Sequence, residues 1–484
     1  MNLIDDDAAY SALKSHDPRF DGVFYVGVTS TGIYCRPVCP ARVPRRENCR
    51  FFASASAAEK ASFRPCLRCR PELAPGHAPM DQAHRLADRI VQRMDEGLAD
   101  EGAGLEEIAA QFGLSSRQLR RIVQQELGVS PIELIQTRRL LLAKQLLTET
   151  RLPVIDIAFA SGFSSLRRFN DAFSTHYRMP PTSLRREAAA HPAKLHAADT
   201  STLQLGYRPP YDWESMLHFL AGRAIREVEL VSDTSYFRTV RLGSHTGWIK
   251  VSHAAARNAL QVEFSHSLTP VLPALLGRLR HVFDLTARPD VISAHLMQDA
   301  TLKKAVMQKP GLRVPGAFDG FEMAVRAILG QQITVQAATK IACRYAEAFG
   351  EKIETPFPEL SRLSPLATQV TRSTVDEIAS LGIIRTRAAC ILAMAEATRS
   401  GSLHLEPGAD PEATIAKLVA LPGIGPWTAH YIAMRALRWP DAFPKEDIAV
   451  RNKLGGVTAK QAEEMSQAWR PWRSYAVLHV WNSL

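Results

Sequence analysis

Apolar residues recur at helical spacing in the second quarter of the chain: Leu105, Ile108, Ala109 and Phe112 fall at i, i+3, i+4 and i+7 before Gly113 breaks the run. "SSRQLRRIVQQEL" restarts the pattern from a serine cap, so this stretch reads helix, turn, helix. The plan returns in "VIDIAFASGFSSLRRFNDAF", where Ile157 and Ala158 precede the Ser161-Gly162 break and Phe169 and Phe173 stand four apart. Two such units in tandem make a repeat. Residues 188 to 203, "AAAHPAKLHAADTSTL", carry neither period and read as a linker. Beyond it "YDWESMLHFLAGRAI" predicts a helix, "VELVSDTSYFRTVRL", "GWIKVSH" and "ALQVEFS" predict strands, and "PVLPALLGRLRHVFDL" predicts a further helix. From about 300 to 484 the pattern is helical, punctuated at "KPGLRVPGAFDG" and "LPGIGPW".

At 484 residues the chain exceeds what one hydrophobic core serves, so the expected fold class is multidomain, mainly α with α+β parts. With 46% apolar and 22% charged residues, disorder is excluded for the body of the chain. The formal charge of +10 and the pairs Arg45-Arg46, Arg120-Arg121, Arg138-Arg139, Arg167-Arg168 and Arg185-Arg186 suit a polyanionic partner. The start, "MNLIDDDAAY", lacks the plan of a signal peptide, and no apolar run is long enough to span a bilayer. A cytosolic protein with no membrane partner is expected, and in that reducing compartment clustered cysteines are metal ligands or nucleophiles rather than disulfides.

Residues 1 to about 75 hold five of the seven cysteines and little helical period, so this small unit needs a staple. Cys35 and Cys39 (CxxxC) with Cys66 and Cys69 (CxxC) form two pairs separated by 26 residues, the pattern of a tetrahedral all-thiolate zinc site. Cys49, Cys343 and Cys390 fall outside that spacing and read as packing residues. The spacing alone does not distinguish a structural site from a reactive one.

"STGIYCRPVC", "RREN", "FFASASAAE" and "FRPCLRC", over residues 20 to 72, resemble the N-terminal motif of the Ada alkylation-response family. The resemblance implies that Cys35 takes a methyl group from a DNA methylphosphotriester while Cys39, Cys66 and Cys69 share the metal with it. The helix-turn-helix pair is similar to an AraC-type DNA-binding domain, which follows the zinc module in that family. Arg117, Gln118, Arg120 and Arg121, then Ser165, Arg167, Arg168 and Asn170, are the expected partners of bases and phosphates. Promoter DNA and, for a regulator, RNA polymerase are the implied partners, and the implied location is the bacterial cytoplasm at the nucleoid.

"LPGIGPWTAHYIAM" is a Pro and Gly hairpin opening a helix, and the N–H groups around Gly423 and Gly425 can face a DNA phosphate. Twenty residues on, Glu446-Asp447 precedes an apolar-basic helix, where an acidic residue also serves as a cap. A hairpin followed by Asp at this distance is similar to helix-hairpin-helix DNA glycosylases, in which Asp447 is the implied catalytic carboxylate. "YRPPYDWESMLHFLAGRAI", "PGLRVPGAFDGFEMAVRAILGQQITV", "LPGIGPWTAHY" and "WRPWRSYAVLHVW" resemble DNA-3-methyladenine glycosylase II of the AlkA type from about 205 to 484. That implies a base pocket of Trp427, Tyr431 and Trp481, and a gap-filling turn at Gln331 and Gln332. Lyase-type relatives carry lysine where Trp427 stands, so a monofunctional glycosylase is expected.

The expected domains are therefore 1–75 (zinc methyl acceptor), 80–187 (AraC-type double helix-turn-helix), 188–203 (linker), 204–300 (TBP-like α+β subdomain) and 301–484 (all-α helix-hairpin-helix glycosylase). No Pro-Cys-His-Arg acceptor motif occurs, so O6-alkylguanine repair is not expected. The rival expectation is a transcription regulator whose glycosylase half binds DNA without catalysis.

Overall fold

In the computed structural model, which describes residues 5–75, 90, 105–189 and 199–483, the two cysteine pairs lie at and just beyond the strands of one small sheet. Helix α1 (Asp6–Lys14) precedes β1 (Tyr25–Val28), β2 (Ile33–Cys35), β3 (Cys49–Phe52), α2 (Ala55–Lys60) and β4 (Arg64–Pro65). The strand order is β3-β1-β2-β4, with β2 and β4 parallel and Tyr34 opposite Pro65. That register carries Cys35 at the end of β2 beside Cys66 just after β4, where the Cys66 N–H donates to the Tyr34 carbonyl at 3.0 Å. Cys49 packs with Ala9, Leu13, Phe24 and Val26 in the core under α1.

The tandem units follow as α3 (Leu105–Gln111), α4 (Ser116–Leu127), α5 (Pro131–Glu149), α6 (Val154–Ala160), α7 (Leu166–Tyr177) and α8 (Pro181–Ala189). Gly113 and Gly162 turn the chain at positive φ between the helices of each unit. Capping boxes at Ser115 and Ser130 start α4 and α5, and Ser165 caps α7. Ile108, Leu119 and Val123 form the first core, and Phe169, Phe173 and Tyr177 pack in a row in the second. Most of the expected helical text before 105 lies outside the described residues.

Strand β5 (Thr200–Gly206) begins inside the expected linker, whose residues 190–198 lie outside the described ones. It pairs antiparallel with β9 (Ala259–Ser265). The buried Lys144 of α5 donates to the Cys66 carbonyl at 3.1 Å and to Glu72 at 2.6 Å, and Arg70 bridges Glu72 (3.0 Å) and Glu149 (2.5 Å). Glu149 and Gln145 then take both backbone groups of Gln204 in β5, at 3.0 and 2.8 Å. Two cations and two carboxylates thus offset one another out of water.

The chain divides into two compact units, Met1–Pro209 with Ala254–Gly277 and Pro210–His253 with Arg278–Leu484. In the second, α9 (Trp213–Ala221) precedes the antiparallel β6 (Glu229–Val231), β7 (Ser235–Leu242) and β8 (His245–Ala254), so the first expected strand is a hairpin of two. Helices α10 (Leu272–Val282), α11 (Pro289–Leu296), α12 (Ala300–Gln308), α13 (Gly320–Leu329), α14 (Val335–Phe349), α15 (Ala367–Val370), α16 (Val375–Ala379), α17 (Arg385–Arg399) and α18 (Pro411–Val419) follow. The last are α19 (Pro426–Ala436), α20 (Ile448–Lys453), α21 (Ala459–Met465) and α22 (Arg473–Trp481). α13 is buried on nearly every side and packs against α17 and α19, with Cys390 inside that core and Cys343 packed on it. Among the described residues no helix is long and apolar enough to cross a membrane.

Candidate functional site

The sulfurs of Cys35, Cys39, Cys66 and Cys69 lie within 4.8 Å of one another. Four thiolates at about 2.3 Å from one tetrahedral ion stand roughly 3.8 Å apart, so the quartet fits zinc. Three of the sulfurs belong to buried residues, and Cys35 is the partly open one. The Arg36 N–H donates to Cys69 Sγ at 3.3 Å and the Arg68 N–H to Cys66 Sγ at 3.4 Å, which draws electron density from those two. The Arg36 guanidinium, bonded to Asp21, also holds the Cys69 carbonyl at 3.0 Å.

On α4 and α7, Arg117, Arg120, Arg121, Arg167 and Arg168 are exposed. Gln118 and Ser165 also start their helices. The Gln118 side-chain oxygen accepts from the Ser115 N–H at 2.9 Å and the Ser165 hydroxyl accepts from the Arg168 N–H at 3.2 Å, so both are engaged in starting their helices.

In the second unit Asp447 is the N-cap of α20 and buried, its Oδ1 accepting from the Val450 N–H at 3.0 Å and the Trp481 indole at 3.3 Å. Its Oδ2 accepts from the Trp427 indole at 3.0 Å. The capping reading and the site reading therefore fall on the same carboxylate. Trp427 stacks on Tyr431 with centroids 5.2 Å apart and planes 14° apart, and Trp481 meets Tyr431 edgewise at 6.1 Å. All four line one cavity of about 970 Å³.

The hairpin before α19 turns at Gly423, φ +90°, where a side chain would meet Cys390 at 3.2 Å. Gly425, the N-cap, faces open space, with Pro426 following it. The two glutamines part company. Gln331 braces the hairpin, donating to the Gly423 carbonyl at 2.9 Å and Thr428 Oγ1 at 3.1 Å, while its own carbonyl accepts from Arg387. Gln332 is exposed at the rim with φ +55°, beside the exposed Ile333.

The charged inner wall of the cavity was not expected. Glu229 of β6 is register partner to Arg238 of β7, and Glu322 and Arg326 stand i, i+4 on α13. Arg238 and Arg326 each reach Glu322 at 2.8 Å, Arg326 also bonds Glu229, and Tyr236 donates to Glu229 at 2.6 Å. Burial alone would raise the Glu322 carboxyl, yet Arg238 and Arg326 hold it down at about 2. Arg435 donates to the Tyr431 oxygen at 2.9 Å. Burial would raise that phenol too, but Arg435 and Arg223 bring it below its ordinary value. The i, i+4 spacings were visible in the sequence; the strand pairing was not.

Four known domain families match this chain: the metal binding domain of Ada over 8–72, a helix-turn-helix domain over 108–187, the AlkA N-terminal domain over 202–319, and the HhH-GPD superfamily of base excision DNA repair proteins over 325–474. The probable bifunctional transcriptional activator/DNA repair enzyme AlkA of Mycobacterium tuberculosis is 37% identical over 487 residues, covering 99% of this chain and 97% of that protein. DNA-3-methyladenine glycosylase 2 of Escherichia coli is 35% identical across 57% of this chain and 95% of its own. The bifunctional activator/repair enzyme Ada of Escherichia coli is 40% identical across 26% of this chain and 34% of its own. With a metal-fitting cysteine quartet, a helix-turn-helix pair and a carboxylate in the wall of an aromatic cavity, the chain belongs to the family of Ada/AlkA-type bifunctional transcriptional activator and DNA repair enzymes.

Proposed function

We propose that the C-terminal half hydrolyses the N-glycosidic bond of alkylated purines in duplex DNA, of the 3-methyladenine and 7-methylguanine type, as a monofunctional glycosylase. The observation that carries this is the Asp447 carboxylate, gripped by Trp427 and Trp481 in the cavity that all three line. A base must leave the stack to enter, and the aromatic faces hold a cationic alkylated base once it is there. As the bond from the sugar C1′ to the base nitrogen breaks, its electron pair leaves with the base. Asp447 stabilises the positive charge developing on the sugar and takes the proton of the water that adds to C1′. Trp427 occupies the place of a Schiff-base lysine, which supports hydrolysis without strand cleavage. Gly423 and Gly425 would take a phosphate of the lesion strand, and Gln332 with its neighbours the vacated space.

The N-terminal half accepts one methyl group per molecule. Bound zinc would keep the four sulfurs as thiolates at neutral pH, with a formal charge near −2 that repels ordinary phosphodiesters. A methylphosphotriester is neutral, so it can approach the partly open Cys35. The new S–C bond forms as the C–O bond breaks, and a phosphodiester anion leaves. Cys35 becomes a thioether, the cluster loses one negative charge, and its repulsion from DNA falls. With Arg117, Arg121, Arg167 and Arg168 on promoter DNA, that change would favour transcription activation through RNA polymerase in a bacterial cytoplasm, at the nucleoid. The division into 1–75, 80–187, 204–300 and 301–484 belongs to the same proposal. The test is purified protein on methylated duplex: free 3-methyladenine is expected, and its absence overturns the glycosylase reading.

A further inference from the structure

Burial deepens along α19: Gly425 is exposed, Trp427 and Tyr431 are half-buried, and Arg435 is buried. If the sugar carbon lies at Asp447, as the proposed glycosylase reading requires, a flipped purine points its far edge, on the six-membered ring, inward toward Tyr431. There the phenol oxygen is a fixed acceptor for Arg435 Nη1 at 2.9 Å. Arg435 cannot swing away, because its other nitrogens donate to the carbonyls of Pro315 and Gly316. Its guanidinium lies 4.8 Å from the centre of the Phe219 ring, and Arg223 covers that ring at 3.8 Å. Arg238 and Arg326 are matched by Glu229 and Glu322, whereas neither Arg223 nor Arg435 has a carboxylate partner among the described residues.

Guanidinium groups only donate. Arg435 donates to the phenol oxygen and Arg223 is directed at the same oxygen, so its lone pairs are engaged, whereas the Tyr431 O–H finds no acceptor among the described residues and is left for the cavity. We infer that Tyr431, fixed by Arg435, is a specificity-determining donor that favours purines presenting an acceptor, such as a 6-oxo group, to the inner end of the cavity. A 6-amino group turns a donor toward that donor and leaves both unpaired. The nearby positive charges polarise the phenol and strengthen its hydrogen bond, consistent with its lowered pKa. Arg435 acts through Tyr431 and is a positioning residue.

The test is excision by the full-length protein from duplexes carrying a single 7-methylguanine or a single 7-methyladenine, which share the alkylation position and differ on the six-membered ring edge. Tyr431→Phe keeps the stacking and removes the O–H. The ratio of kcat/KM for 7-methylguanine to that for 7-methyladenine is expected to fall by about threefold or more, the worth of one hydrogen bond; a smaller change overturns the inference. Arg435→Met should lower the ratio in the same direction and Arg435→Lys should restore part of it, a rescue that a purely structural role does not give. Should Arg435→Met fail to fold, Tyr431→Phe decides alone. A wild-type protein that releases neither base overturns the glycosylase reading itself, which is a different result from release with an unchanged ratio.

Discussion

The Trp427 indole donates to Asp447 Oδ2 at 3.0 Å, so the aromatic wall of the cavity and the carboxylate beside it are fixed against each other. Asp447 also accepts from Trp481 and from the first turn of α20, which leaves it little freedom to turn. Asp447→Asn keeps an oxygen for the Val450 N–H, but its NH2 group then faces the Trp427 indole N–H, so a loss of about 1–3 kcal/mol is expected. The negative charge is gone, and base release should fall by roughly a hundredfold to a thousandfold. Free base from methylated duplex, alongside thermal melting, checks both halves of this expectation. Undiminished release from the variant removes Asp447 from the chemistry.

The parallel pairing of β2 with β4 makes the cysteine quartet, so metal and sheet should stand or fall together. One zinc per chain is expected. Cys69→Ser should abolish binding and open residues 20–72 to hydrogen exchange, because metal-binding energy is folding energy in a unit with so small a core. Cys35→Ser should block methyl transfer, whereas wild-type protein exposed to methylphosphotriester DNA should gain the mass of one methyl group on the peptide that holds Cys35. A methyl group found on another cysteine, or on none, refutes the assignment.

Patterns local in sequence carried much of the way to these sites. Cysteine spacing pointed to the quartet, and the Gly-Pro hairpin with an acidic residue twenty positions on pointed to Asp447. The helix-turn-helix breaks were legible because Gly113 and Gly162 sit where the chain needs positive φ. What escaped depends on contacts between distant segments. Nothing around Lys144 in the sequence marks it, since its partners Cys66 and Glu72 are more than seventy positions away. β5 escaped because "TSTLQLG" is short and preceded by polar text, while its backbone partner β9 lies more than fifty positions away. Gln331 and Gln332 looked equivalent, and only the fold turns one into the hairpin.

Gly206 of β5 stands against the backbone of Leu73, and a Cβ there would lie 2.1 Å from the Leu73 carbonyl oxygen. No rotamer relieves a clash with backbone. Gly206→Ala should therefore push β5 off the segment that follows the CxxC pair, weakening the hold of Glu149 and Gln145 on Gln204. A loss of about 1–3 kcal/mol is expected. Faster hydrogen exchange confined to β5 and the C-terminal end of α5 would show it, and an unaltered exchange pattern would mean that the strand is not held there.

Acid should weaken the second unit in two steps. His479 of α22 is buried, and burial holds its imidazole down to about 4 from an ordinary 6.5, with Lys309 adding to the effect. The unfolded chain therefore takes up a proton that the folded chain refuses between those values, and stability falls as pH drops from 6.5 to 4 by about 3 kcal/mol from this group. Glu322 behaves in the usual carboxylate way. Its folded value near 2 lies below the ordinary 4.5, so its contribution is complete above 4.5 and is lost as pH falls toward 2. The two windows barely overlap, which allows the groups to be separated. His479→Gln should flatten the first step and leave the second, whereas Glu322→Gln should lower stability across the neutral range by about 3 kcal/mol or more, because Arg238 and Arg326 then share the single carboxylate of Glu229. Hydrogen exchange of α13 and α22 in the full-length protein across the acid range reads both. A first step that survives His479→Gln unchanged would place its proton elsewhere, with the deeply buried His281 the next residue to change.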